Sequence, residues 1–312
     1  MDAIASTLLS SGRAAVDLAL FVLLPIMIVM LSIMRWLEWI GWLPKIVAAV
    51  APLLRPLGLT GLGVFALLQV MLVSFAAPIA TLALMARNGT SSRHIAATLA
   101  MVLAMAQANV VFPMAAVGLQ ILPTMLIALS GGLLAAAVTF YVTGRTLSSA
   151  ETEADEPIEL DAEGKGNLLD VIRHAGKDAW NIAIGALPLL VVSIVAVNLI
   201  RLTGVIGWLE VNLAFLFEYL GYPTQTLLLA ITKYIAGGTA MMGIAVEQFQ
   251  AGALSSQQIN LLAGLLLCPL DVAGVAILAA AGKRVGGVVK PAVLGAMVGV
   301  AWRIGWHTWL FA

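Results

Sequence analysis

The chain has 312 residues, of which 62% are hydrophobic and 10% charged, and its mean hydropathy is +1.04. Soluble domains carry about 25% charged residues, so this composition reads as a polytopic membrane protein. Sixteen basic residues balance sixteen acidic ones, so net charge implies no nucleic-acid partner, and the one cysteine, Cys268, leaves no internal disulfide or cysteine-cluster metal site.

The length allows roughly eight or nine membrane segments with short loops. The start lacks a basic region followed by a small-residue cleavage site, so no cleaved signal peptide is expected. Val16 to Met34 reads as a spanning helix containing Pro25. Arg35 to Arg55 carries Trp36, Trp39 and Trp42 among Arg35, Glu38 and Lys45, the pattern of an amphipathic segment lying along the interface. Gly58 to Met85 is a long apolar run broken at Ser74-Phe75-Ala76-Ala77-Pro78, and a polar turn follows at Arg87 to Arg93. His94 to Leu119 spans, with Gln107 and Asn109 just before an interruption at Pro113. Leu122 to Val142 spans with Gly131-Gly132 at its middle.

Residues 148–166 are polar and acidic and read as a solvated linker. Asn167 to Trp180 is amphipathic, Asn181 to Leu199 spans, and Gly207 to Leu220 resembles the earlier Trp-rich piece. Thr224 to Gln250 is apolar but contains Lys233 and a Gly237-Gly238-Thr239 break. Each of its arms has about 12 residues and reaches roughly 18 Å, short of the roughly 30 Å hydrocarbon core. Two such arms suit a re-entrant hairpin, and an ordinary span with a flexible glycine pair is the alternative. A Ser-containing turn follows, then Ile259 to Ala281 with Cys268-Pro269 and Asp271 at its middle, a basic loop, and a last span from Ala292 to Trp309.

The order of elements on the two sides of the linker is the same. A shift of 163 residues aligns Ala77 with Ala240, Gly89 with Gly252 and Ser92 with Ser255, while Gly41-Trp42-Leu43 aligns with Gly207-Trp208-Leu209 after a small gap. If every long run crossed fully, basic residues would divide eight to seven. If both broken runs are re-entrant and the chain starts outside, twelve become cytoplasmic, and only Arg13, Arg201 and Arg303 stay outside, with Lys233 inside the membrane. The expected fold is therefore an all-α polytopic membrane protein of two inverted repeats, 1–147 and 167–312, joined by the cytoplasmic linker 148–166. Each repeat has three spanning helices, a re-entrant helical hairpin and an interfacial amphipathic helix.

The candidate substrate-binding residues are Ser74, Gln107, Asn109, Gly237, Gly238, Thr239 and Asp271. Glycine lets backbone approach a ligand, and arms that start past a tip present free N–H groups. Gln107 and Asn109 serve either a solute or the bonding between helices. Lys233 and Asp271 cost about 2.5–3.5 kcal/mol each to insert, so each needs a partner or a wet cavity, and a Lys233–Asp271 pair is the economical arrangement. That pair is either structural or a coupling switch for sodium-independent transport, facilitated or proton-linked. Met241 and Met242 read as packing. The three histidines, His94, His174 and His307, fall in loops or at span ends without metal-ligand spacing, and no catalytic constellation appears. Neither an enzyme nor a cofactor or metal site is expected.

SFAAP at Ser74 and GGTAMMG at Gly237, each followed by its Ser-containing turn, resemble the nucleoside recognition, or Gate, domain in two copies, over most of 15–143 and 180–310. Such domains occur in concentrative nucleoside transporters, in the membrane part of ferrous-iron permeases and in spore maturation proteins. The resemblance implies hairpin tips and unwound helices around a central site, a small-molecule solute, and a homo-oligomer in a bacterial inner membrane. The first tip lacks a Gly-Gln-Thr-Glu-like polar sequence and there are no added scaffold helices; the permeases' tip cysteines are absent, which counts against iron. The reading is a secondary transporter or facilitator of a small polar organic solute, with a nucleoside-like solute as one candidate; the alternatives are a non-transporting membrane factor and a metal-ion permease.

The charge count predicts sidedness. In a Cys268→Ser background, single cysteines at Asn88 and in the linker should be labelled only from the cytoplasm, and cysteines at Gln257 and Ala312 only from outside; an Ala312 reporter in the cytoplasm overturns the arrangement.

Overall fold

The computed structural model describes residues 2–150, 167–219, 222–223 and 226–312. Most of the acidic linker and Thr224, Gln225 and Gly221 therefore lie outside the described residues. What is described is helical throughout. The chain is a multi-pass membrane protein: three segments, Ser11–Trp39, Ser92–Val117 and Ile121–Thr143, are long and apolar enough to cross a bilayer.

The first helix, α1 (Asp2–Asp17), runs through a π-helical turn (Leu18–Leu23) into α2 (Leu24–Trp39). Pro25 falls just after the π-helical turn, inside this continuous helix. Gly41 adopts a left-handed conformation (φ 68°) that turns the chain into α3 (Trp42–Leu54). The stretch Trp42–Leu57 then meets Gly61–Leu72 at 105°. Of the segment Arg35 to Arg55, only the part from Trp42 forms α3; Arg35, Trp36 and Glu38 belong to the end of α2.

Helix α4 (Gly61–Leu72) starts on a Thr60 cap, stops at Val73, and resumes as α5 (Pro78–Arg87), which begins with a proline. The arms are tied by Thr81 Oγ1 donating to Gln69 Oε1 at 2.8 Å. Ser91 caps α6 (Ser92–Ala104), which unwinds at 105–107 and continues as α7 (Ala108–Met114). A short 3-10 turn at Ala115–Val117 leads to α8 (Ile121–Val138). The break in this span lies six residues ahead of Pro113, which sits near the end of α7 and not at an interruption. The correction has a physical cause: the freed backbone groups at 104–107 have tertiary partners, described below, and those around Pro113 are absorbed by the turn that follows.

On the other side of the linker, α9 (Leu168–Leu202) is one helix of 35 residues. The amphipathic piece and the span expected there are continuous, because nothing between Trp180 and Asn181 stops a helix. Gly204 (φ 76°) turns the chain into α10 (Val205–Tyr219). It lies 163 residues after Gly41, the left-handed glycine ahead of α3. Then come α11 (Leu227–Ala236), α12 (Gly238–Gln250), α13 (Ser256–Leu266), α14 (Val272–Ala279), the short α15 (Lys283–Gly286) and α16 (Val289–Phe311). Ser255 and Gln258 form a reciprocal cap at the start of α13.

Side chains from loops show which ends of the helices lie together. Tyr141 donates to Pro56 O, Arg93 to the carbonyls of Gly144 and Arg145, and Arg284 to Ala86 O at 2.6 Å and Thr90 O at 2.7 Å. The start of α4, the end of α5 and the basic loop therefore share one end of the bundle. Tyr222 meets Thr308 at 3.4 Å, Gln257 donates to Phe311 O, and Asn260 donates to Gly118 O at 2.9 Å. The approach to α11, the start of α13 and the C-terminus of α16 share the other end. Each hairpin returns to the end it left.

The centre is built by close helix approach at small residues. In α8, Gly131 faces Gly299 of α16: a Cβ on Gly299 would stand 2.4 Å from Gly131 O. A Cβ on Gly264 would stand 2.6 Å from Arg303 O, which is backbone and cannot step aside. Gly264→Ala should therefore force α13 and α16 apart and lower stability by about 1–3 kcal/mol, measured as thermal unfolding in detergent. Gly305→Ala, with nothing within 4 Å, is the control and should be near neutral.

Candidate functional site

Two hairpins and two unwound spans provide the chemistry of the interior. An unwound span leaves carbonyls without partners before the break and N–H groups after it. In an apolar interior each must be satisfied, and most of the site consists of the groups that do so.

The two breaks touch. Gln107 N–H donates to Leu267 O at 3.1 Å, joining the unwound segment after α6 to the one after α13. The carbonyl side is served by Arg303 of α16, whose side chain is fully enclosed. Its Nη1 donates to Ala104 O, the last residue of α6, at 2.6 Å, and its Nη2 to Ala263 O in the last turn of α13 at 3.1 Å. Each helix C-terminus carries roughly half a negative charge, so two of them match one guanidinium without a carboxylate. Arg303 was expected at the outer surface; it is interior because its forked donors reach two carbonyls at once, something a lysine ammonium does less well.

The second hairpin comes down onto this junction. Gly237 holds φ 88°, ψ 172°, a conformation that only glycine tolerates, and reverses the chain between α11 and α12. The next residue, Gly238, is buried against Gln107: a Cβ there would lie 2.6 Å from Gln107 Nε2. Thr239 follows, half-buried, in the first turn of α12. Gln107 is 1% exposed, and its Oε1 has no partner; the half-buried Asn109 likewise has an enclosed Oδ1 without one.

On the other arm, Lys233 lies in the last turn of α11 and is fully enclosed. Its ammonium contacts Asp271 Oδ2, so the pairing expected from the cost of burial is present. Asp271 also caps α14, its Oδ1 accepting from Gly274 N–H at 2.7 Å. One carboxylate thus serves a helix N-terminus and a cation together. The ring of Tyr234 lies 5.7 Å from the ammonium.

The structure brings Gln107, Gly237 and Gly238 together, with Lys233 and Asp271 joining α11 to the second break. Ser74 stands apart: its polar backbone contacts stay within the first tip, N–H to Gln69 O and carbonyl from Ala77 N–H. The arms of the first hairpin still reach the broken spans, α4 against α7 and α5 against α14. A cavity of about 360 Å3 lies on the flank of that tip, lined by Val73, Ala77 and Gln69 and by Arg35, Glu38 and Asp178 of α2 and α9. Arg35 Nε donates to Asp178 Oδ2 at 3.1 Å across it. Sequence reasoning left these residues out of the site because Arg35 and Asp178 are 143 positions apart and each reads as surface charge. His307 was also passed over; it is buried, with Nδ1 donating to Asn260 O. Among the described residues no three of His, Cys, Asp and Glu gather as metal ligands.

No protein-family model and no curated protein matches the chain. Solved structures do. A double variant of CNTnw, a concentrative nucleoside transporter, in an outward-facing state matches with a TM-score of 0.67 at 17% identity, over 99% of this chain and 85% of that one. CNTnw in an inward-facing substrate-bound state matches with 0.65 at 17% identity, over 98% and 82%. A variant in an intermediate state matches with 0.67 at 16% identity, over 97% and 82%. At these identities the likeness establishes a shared fold.

Arg303→Met should leave the Ala104 carbonyl short of a donor inside the bundle, whereas Ala263 O still accepts from Leu267 N–H at 3.3 Å. The orphaned carbonyl is expected to cost about 1–3 kcal/mol, read as a lower unfolding temperature. An unchanged temperature would mean that other donors replace the guanidinium.

Proposed function

We propose that this chain is a secondary transporter or facilitator that moves a small polar organic solute, nucleoside-like in size and hydrogen-bonding character, by alternating access around two hairpin tips. The observation that carries the reading is two enclosed amide oxygens without partners: Gln107 Oε1, beside the second tip where the two unwound segments meet, and Asn109 Oδ1, two residues on in α7. A buried amide oxygen without a donor is costly, and a solute presenting N–H or O–H groups supplies what is missing. Broken helices meeting inside a membrane protein are a transporter's usual way of exposing backbone groups to a solute.

In this reading Ser74, Gln107, Asn109, Gly237, Gly238, Thr239 and Asp271 line the solute path, and Lys233 with Asp271 governs coupling. Residues 1–147 and 167–312 act as inverted repeats with re-entrant hairpins, in a bacterial inner membrane with both termini outside, and the protein is a homo-oligomer. The return of each hairpin to the end it left supports the re-entrant arrangement. The fold shared with CNTnw, captured in outward-facing, intermediate and inward-facing states, supports the transport reading.

The test is uptake of labelled nucleosides, nucleobases and amino acids into liposomes holding the purified protein. One of these classes should accumulate above protein-free vesicles, and Gln107→Ala or Asn109→Ala should raise KM about three- to tenfold, the worth of one neutral hydrogen bond. Uptake at the protein-free level for all three, or variants with unaltered KM, overturns the assignment.

A further inference from the structure

The contact between Lys233 and Asp271 has a property that an ordinary ion pair between two helices lacks: it joins a hairpin arm to a break. Lys233 is four residues ahead of Gly237, where the second hairpin reverses, and Asp271 is the last residue of the unwound segment before α14. The ammonium is fully enclosed and the carboxylate side chain is 4% exposed. Asp271 is also the buried carboxylate of the described interior; the other buried charges there are Lys233 and Arg303. Arg303 is occupied by the carbonyls of Ala104 and Ala263. The polar groups seen on the pair are the Tyr234 ring on α11 and Gly274 N–H on α14. Neither carries a second positive charge.

A carboxylate at an unwound helix, with one oxygen spent on backbone N–H and the other facing a closed hairpin, has the donor chemistry of a monovalent-cation site. The cation found there is the chain's own. We propose that the Lys233 ammonium is a tethered monovalent cation occupying a site made by Asp271 and the second break, so that this hairpin closes without a diffusible ion, and that removing the ammonium uncovers a site for sodium or a small alkylammonium. For the transport cycle, which rests on the reading above, the consequence is uptake that needs no sodium gradient.

The site itself is tested without any solute. Thermal unfolding of purified wild type, Lys233→Ala and the double variant Lys233→Ala/Asp271→Ala is measured in choline chloride and in the chlorides of sodium, potassium and methylammonium. Wild type should be indifferent to the cation. Lys233→Ala should unfold at a lower temperature in choline and recover by about 3–5 °C at about 100 mM sodium or methylammonium, the size expected of a weak site filled by mass action. The double variant should show no recovery and should be more stable in choline than Lys233→Ala. Lys233→Gln keeps a neutral donor for Asp271 and serves where the alanine variant does not fold; it should show the same cation response. In liposomes, wild-type uptake should ignore a sodium gradient and Lys233→Ala uptake should rise with one. A sodium-stabilised wild type, Lys233 variants unresponsive to every cation, or a double variant that retains the response overturns the proposal. Because the unfolding experiment uses no solute, its outcome stands apart from whether the protein transports.

Discussion

A helix broken inside an apolar interior leaves backbone groups that neither water nor lipid can satisfy, and the centre of this protein is organised by that constraint. One guanidinium reaches a carbonyl ahead of each break, Arg303 to Ala104 and Ala263. The N–H of Gln107 in one break finds Leu267 O in the other, and Asp271 accepts the Gly274 N–H beyond the second. Without such partners each unpaired group would cost on the order of a few kcal/mol, and continuous helices would be favoured. The breaks persist because α16 carries an arginine between them and because small residues let it come close. Gly131, Gly264 and Gly299 line the slot in which Arg303 lies.

The same arithmetic of charge explains why the interior tolerates three ionised side chains. Arg303 is matched by two helix C-termini, and Lys233 by Asp271, whose carboxylate also neutralises a helix N-terminus. No bulk counter-ion is called for. Among the buried polar atoms still without a partner are the amide oxygens of Gln107 and Asn109. Charge is thus spent on holding the broken helices.

A flanking cavity adds a second polar region. Arg35 and Asp178 join α2 to α9 beside the first tip, with Gln69 of α4 bonded to Thr81 across the same hairpin. The first hairpin is therefore braced on its own flank, whereas the second is braced against the breaks through Lys233 and Gly238. The two hairpins have matching places in the order of elements and different polar attachments.

Much of the architecture was legible in the sequence because membrane burial imposes a coarse grammar. Apolar runs give helices, glycine and proline in such runs mark breaks, and the cost of an unpaired charge called for a partner for Lys233, which the structure supplies in Asp271. The polar turns read from the sequence contain Ser91 and Ser255, which cap α6 and α13 in the structure. What only the tertiary structure decided is which breaks meet and what satisfies them. Pro113 is a strong local signal, yet the span unwinds six residues earlier, where Leu267 and Arg303 wait. Arg303 looked like a surface charge near a chain end, because a residue's own neighbours say nothing of carbonyls 199 and 40 positions away. Sequence determines which backbone groups will be left over; packing alone determines which side chain reaches them.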